Sequence, residues 1–310
     1  MKGIYDAPRS YYKIETLICQ ITIWKKEKTY SIMNLIQHLF YITSTLLFAT
    51  AVPYDLDLVT SSLHLTQATY CLDTANKNTW TCPTCDKGMK VISVVEEMGG
   101  RALVGYNPDY NAIFVSYRGS EDFMNWVDNV QITQTFPYID MPEVGVEKGF
   151  YKVYSYLLPG VLEGIEKTAV QYGTSKVMIQ GHSLGSIATL LAFDLARDDD
   201  SEYDVYSLTT FGSPRIGNQA FVDAFKKQDI DSIRVTHWHD IVPHLPQELL
   251  EYEHIPNEVW YNEKNSQYIE CNDKNKEDKH CSNSCAPLHC TSKSDHMYYL
   301  NVSMGSLGDC

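Results

Sequence analysis

The sequence predicts an α/β fold: a mostly parallel central sheet covered by helices on both faces. Three observations lead there. Beyond Met89, short segments rich in Val, Ile, Phe and Tyr alternate with longer ones whose apolar residues recur at helical spacing. The chain has 310 residues, 44% of them hydrophobic and 12% aromatic, enough for one large core. No internal repeat or low-complexity linker divides it, so residues 52–310 read as a single domain.

Residues 1–51 read as a leader outside that domain. Lys25, Lys26 and Lys28 precede an apolar run from Leu39 to Val52 that is shorter than the ~20 residues a bilayer span needs. The run ends in Ala49-Thr50-Ala51, a small-x-small cleavage pattern, so a secretion signal cut before Val52 is expected. Met33 offers a later translation start, and a retained anchor is the alternative reading. After cleavage no stable membrane span is expected.

An amphipathic stretch from Leu56 to Tyr70 follows, then the turn-rich "CLDTANKNTWTCPTCDKG". Strands are expected at "MKVISVVEE", "RALVGYN" and "NAIFVSYRG", set off by Gly, Pro and Asn. Tyr154, Leu157, Leu158, Val161, Leu162 and Ile165 place a helix over Tyr151 to Tyr172. Next come strand "KVMIQ", helix Ser186 to Arg197, strand "YSLTTFG", helix Gln219 to Lys227, and strands "IRVTHWH" and "EVWYN". The segment from Asn262 to Ser294 is polar and cysteine-rich and reads as loop.

Chemistry concentrates at Gly181-His182-Ser183-Leu184-Gly185, between strand "KVMIQ" and the helix after it. A sharp strand-to-helix turn strains its central residue and brings strand and helix so close that residues two positions away must lack a β-carbon. The serine hydroxyl is thereby raised at the positive end of the helix, with the Leu184 N–H able to stabilise an oxyanion. Serine needs a base, and the base an orienting carboxylate, in the chain order Ser, Asp or Glu, His. Asp240 follows strand "IRVTHWH" and is the candidate acid. Of the seven histidines after Ser183, His237 and His239 read as structural, His244 lies between prolines, and His280 and His289 lie among cysteines. Spacing leaves His296 and His254 as candidate bases. A second oxyanion donor is expected at Ser120, after strand "AIFVSY". The segment Glu121, Asp122, Phe123, Met124, Asn125, Trp126 reads as an amphipathic helical turn that could cover an apolar acyl pocket as a lid.

A formal net charge of −14 excludes a nucleic-acid partner on electrostatic grounds. The eight cysteines left after leader removal point to disulfides in an oxidising compartment, although spacing assigns no pairing. A zinc site among Cys271, Cys281, Cys285, Cys290, His280 and His289 lacks the usual C-x2-C knuckles, so no metal is expected. Asn301-Val302-Ser303 is a glycosylation sequon, read as an unused buried site.

Taken in order, "VSYRGS" with "NW" after it, "KGF", "VMIQGHSLG", "TTFGSPRIGN", "HDIVPHLP", "EVWY" and "DHMYYL" resemble the secreted fungal and yeast triacylglycerol lipases of the class 3 family, over most of Thr60 to Cys310. The resemblance implies an α/β-hydrolase fold with a short helical lid. It implies Ser183 as nucleophile, Asp240 as acid, His296 as base, oxyanion donors at Ser120 and Leu184, and no cofactor. It also implies a secreted monomer acting on lipid esters at an oil–water interface. Disulfides are implied for Cys71–Cys310, Cys82–Cys85 and Cys271–Cys281, with Cys285–Cys290 as an additional pair. Two positions depart from the family pattern: Ser186 where glycine is common, and Glu147 where histidine is frequent.

Overall fold

A computed structural model describes residues 54–72, 82, 85–120, 132–273, 276–286 and 288–305. The expected leader, the expected lid segment Glu121–Trp126 and Cys310 lie outside the described residues. The first helix, α1 (Leu56–Cys71), starts where the Asp55 carboxylate accepts from the N–H groups of Asp57 and Leu58, both at 3.0 Å. Three strands follow: β1 (Lys90–Glu97), β2 (Gly100–Asn107) and β3 (Ala112–Tyr117). A short pair, β4 (Gln134–Thr135) and β5 (Val146–Glu147), precedes the long helix α2 (Lys148–Tyr172). Alternation then continues through β6 (Lys176–His182), α3 (Ala188–Arg197), β7 (Asp204–Phe211), α4 (Gln219–Lys226), β8 (Ser232–His237), β9 (Glu258–Tyr261) and β10 (Tyr268–Glu270). A hairpin, β11 (Tyr298–Tyr299) and β12 (Val302–Ser303), comes last.

The main sheet has eight strands in the order β1-β2-β3-β6-β7-β8-β9-β10. Its centre, β3 to β9, is parallel, and the β1, β2 and β10 pairings are antiparallel. The fold is that of the α/β hydrolases. Because successive side chains point to opposite faces, β3 sends Ile113, Val115 and Tyr117 into one buried cluster and Ala112 and Phe114 into another. The first cluster lies under α2, α3 and α4; the second lies under α1. Helices thus cover both faces of the sheet, whose central strands are largely buried.

Three boundaries differ from expectation. The long helix begins at Lys148 rather than Tyr151, because the buried Glu147 carboxylate accepts from the Phe150 N–H at 2.6 Å and caps it earlier. Ser183–Ile187 form a tight 3-10 turn, before α3 begins at Ala188 rather than at Ser186. The segment read as loop from Asn262 contains β10, whose three exposed residues pair with β9 in the register Tyr268↔Tyr261. Three residues are too few to display a strand period; the pairing comes from β9 and from Tyr268 packing on Tyr54 at 4.6 Å.

Long-range polar contacts pin the cysteine-rich segment. Arg215 forks onto Glu277 at 2.6 and 2.8 Å, and Arg234 reaches Asp273 at 3.1 Å. Disulfides join Cys82 to Cys85, Cys271 to Cys281 and Cys285 to Cys290. Cys71 is disulfide-bonded as well. Past the last bridge, the Ser292 backbone pairs with both His239 and Ile241 around Asp240, which delivers the chain to His296.

Candidate active site

Parallel strands place their carboxyl ends along one sheet edge, where Ser183 follows β6 and Asp240 follows β8. Ser183 has φ of +57°, a left-handed conformation costly for any residue with a side chain. The close packing of the turn holds it there. A β-carbon on Gly181 would lie 2.0 Å from the Gly185 carbonyl oxygen, and one on Gly185 would lie 2.3 Å from that of Tyr117. The two glycines are therefore steric requirements of a turn wedged against β3. The serine side chain is buried, and its Oγ makes no hydrogen bond among the described residues. Hydrogen bonds to a catalytic nucleophile often close only once substrate is bound.

Of the two candidate bases, His296 is the one joined to Asp240: its Nδ1 donates to Asp240 Oδ2 at 2.8 Å, with both residues buried. That contact fixes the tautomer and leaves Nε2 as the basic nitrogen. The other carboxylate oxygen of Asp240 accepts from the Val242 N–H at 2.9 Å. The His296 ring stacks on that of His182, next to Ser183, with centroids 4.4 Å apart. His254 instead hydrogen-bonds the Pro243 carbonyl at 2.7 Å, and burial together with Arg234 and Arg215 holds its imidazole well below the usual range. His237 is structural, lying 2.8 Å from the Asp295 carbonyl. His239 stacks on Trp238. His244 lies 3.9 Å from the Cys285 sulfur, and burial pushes its pKa down to about 4.

The two expected oxyanion donors flank the serine. Leu184 begins the turn directly after it. Ser120 follows Gly119, where a β-carbon would come within 3.0 Å of the Ser183 β-carbon. The loop after β3 therefore lies directly on the elbow.

Three residues around this site escape a reading of the sequence. Tyr299 donates its hydroxyl to the same Asp240 oxygen that His296 uses. Its only sequence signal is a position three residues after His296. His182 is visible only as the variable position of G-x-S-x-G, and Tyr70, on α1, has no local signal at all.

A strained serine between strand and helix, with a buried imidazole–carboxylate pair on the same sheet edge, defines a serine hydrolase of the α/β-hydrolase class. A family model described as Lipase (class 3) matches residues 114–250 of this chain. A lipase of Rhizomucor miehei is 29% identical over 264 residues, covering 82% of this chain and 71% of that protein. Secreted mono- and diacylglycerol lipase 1 of Fusarium solani is 31% identical over 182 residues, covering 58% of this chain and 54% of that protein. Among solved structures, a Rhizomucor miehei triacylglyceride lipase matches with a TM-score of 0.73 at 28% identity, over 82% of this chain and 97% of that one.

Proposed function

We propose that residues 52–310 form a secreted triacylglycerol lipase that uses Ser183, His296 and Asp240 through an acyl-enzyme. The observation that carries the reading is the buried His296–Asp240 contact beside a serine held at positive φ. In the first half-reaction Ser183 Oγ bonds to the ester carbonyl carbon while His296 Nε2 takes its proton. The carbonyl oxygen becomes an oxyanion facing the N–H groups of Ser120 and Leu184. Collapse breaks the bond to the alcohol oxygen, which receives the proton from His296 and leaves. Water then attacks the acyl-serine, giving its proton to Nε2; collapse returns that proton to Ser183 and releases the fatty acid. The chemistry calls for no cofactor.

The substrate class rests on the named relatives and on the apolar residues Phe123, Met124 and Trp126 in the sequence after β3, the composition expected of a lid over an apolar substrate. Secretion rests on the leader pattern and on a relative named as secreted. No helix among the described residues is long and apolar enough to cross a membrane. The test is hydrolysis of tributyrin across its solubility limit by the secreted protein and by Ser183→Ala. A rate that jumps when emulsion appears, and is lost in the variant, is the expected result. A serine-dependent rate that saturates below the limit would replace the lipase with an esterase for soluble esters. Equal rates in both proteins would remove the catalytic reading.

A further inference from the structure

Three segments of the site are joined by a hydrogen-bond chain that the acyl-transfer mechanism does not itself require. The Gly119 N–H lies 3.1 Å from the Tyr70 hydroxyl oxygen. That hydroxyl lies 2.6 Å from His182 Nδ1, and His182 Nε2 lies 2.9 Å from the His296 carbonyl oxygen. We propose that Tyr70 and His182 are positioning residues for the reaction proposed above, holding the oxyanion loop, the nucleophile turn and the base in one register through hydrogen bonds of fixed direction.

The direction follows from the end groups. A backbone carbonyl only accepts, so His182 Nε2 must carry a proton. A backbone N–H only donates, so the Tyr70 oxygen accepts from Gly119 and its own hydrogen points elsewhere. What remains between Tyr70 and His182 is a hydroxyl donating to an unprotonated Nδ1. His182 is then neutral, as its burial and the stacked His296 ring both favour. Burial likewise keeps the Tyr70 hydroxyl protonated. With His182 neutral every donor in the chain meets an acceptor, whereas an imidazolium donating to the Tyr70 oxygen would leave the Tyr70 hydrogen unused in the chain and would carry a buried charge.

Two consequences bear on rate. Gly119 precedes the proposed oxyanion donor Ser120, and a β-carbon there would lie 2.3 Å from the Tyr70 oxygen, so only glycine fits where the loop meets Tyr70. His296 becomes positively charged in the transition state. The stacked His182 ring remains neutral because its acceptor nitrogen is already occupied by Tyr70, and no like charge forms 4.4 Å away.

The test combines a spectroscopic and a kinetic readout. In 15N-histidine-labelled protein, with His182 assigned by its loss in His182→Gln, Nε2 should be protonated and Nδ1 unprotonated from about pH 5 to about pH 8. Tyr70→Phe should lower kcat on a soluble short-chain ester about tenfold, with KM within about twofold and an unchanged melting midpoint. Inactivation by an alkyl phosphonate, which mimics the tetrahedral intermediate, should slow by the same factor. His182→Gln, which keeps a donor for the His296 carbonyl, should retain more activity than His182→Ala. A protonated Nδ1 at neutral pH would overturn the proposal. So would a Tyr70→Phe kcat within about twofold of wild type, or a loss of rate that merely tracks a lowered melting midpoint. Failure of the serine-hydrolase reading would show differently, as a wild-type protein that neither turns over ester nor reacts with phosphonate, while the nitrogen signals would still report on the chain.

Discussion

Tyr299 and His296 converge on a single oxygen, Oδ2 of Asp240, so the carboxylate we propose as the orienting acid is itself held by a phenol three residues beyond His296. With Val242 N–H on the other oxygen, the carboxylate is held by three donors in a buried site. Asp240→Asn would leave His296 Nδ1 facing an amide able to donate, favouring the wrong tautomer, and kcat should fall by about 10^4. Tyr299→Phe removes one of three donors and should cost about fivefold in kcat with little change in KM. Steady-state kinetics on a soluble ester checks both, and a Tyr299→Phe effect as large as that of Asp240→Asn would contradict this division of labour.

Gly185→Ala probes the nucleophile turn without touching a reacting group. The new methyl would lie 2.3 Å from the Tyr117 carbonyl oxygen, a backbone atom of the central sheet that cannot swing aside. The variant should be destabilised by about 2 kcal/mol or more and lose most of its activity. Denaturant unfolding together with an ester assay measures both. Full activity at wild-type stability would mean that the strand and helix can separate.

Arg215 and Glu277 form a buried ion pair whose guanidinium also donates to the Pro246 carbonyl at 2.7 Å. Arg215→Met would leave Glu277 buried without its partner, at a cost of about 3 kcal/mol. The double variant Arg215→Met/Glu277→Met should recover part of that loss. A double-mutant cycle by urea unfolding measures the coupling, and strict additivity of the two single changes would rule it out.

His244 makes stability depend on pH in a known direction. Burial, reinforced by Arg215, pushes its pKa down to about 4, against about 6.5 in an unfolded chain. Between those values the unfolded chain binds a proton that the folded protein does not. The contribution is therefore fully present above about pH 6.5 and is lost as pH falls towards about 4. Urea unfolding of wild type and His244→Gln over this range should show the wild-type advantage shrinking by up to about 1.4 kcal/mol per pH unit. A difference that does not vary with pH would exclude the effect.

Asn301, read from sequence as a buried sequon, is instead exposed at the turn between β11 and β12, with φ of +47° at Leu300 and +65° at Asn301. A tip of that kind is open to modification in a secreted chain. Expression through a eukaryotic secretory pathway should give a mass increment removed by endoglycosidase and absent in Asn301→Gln. Unmodified wild-type protein from such a host would refute this.

What the sequence determined by itself is whatever depends on neighbours along the chain. Strand and helix periods and the glycine-flanked serine are all local, and the order of layers follows from them. Even there a buried Glu147 moved a helix start by three residues, because the strength of a cap depends on its surroundings. Local spacing could not choose between His254 and His296. Sequence distance carries no information about which of two loops folds back, and the choice was made by Ser292 pairing beside Asp240 behind two disulfides. Tyr70 and His182 are 112 residues apart, and His182 and His296 are 114 apart. Only the stacking of parallel strands, which gathers their carboxyl ends on one edge beneath α1, brings such residues within reach of one another, and so the network around the serine belongs to the tertiary structure alone.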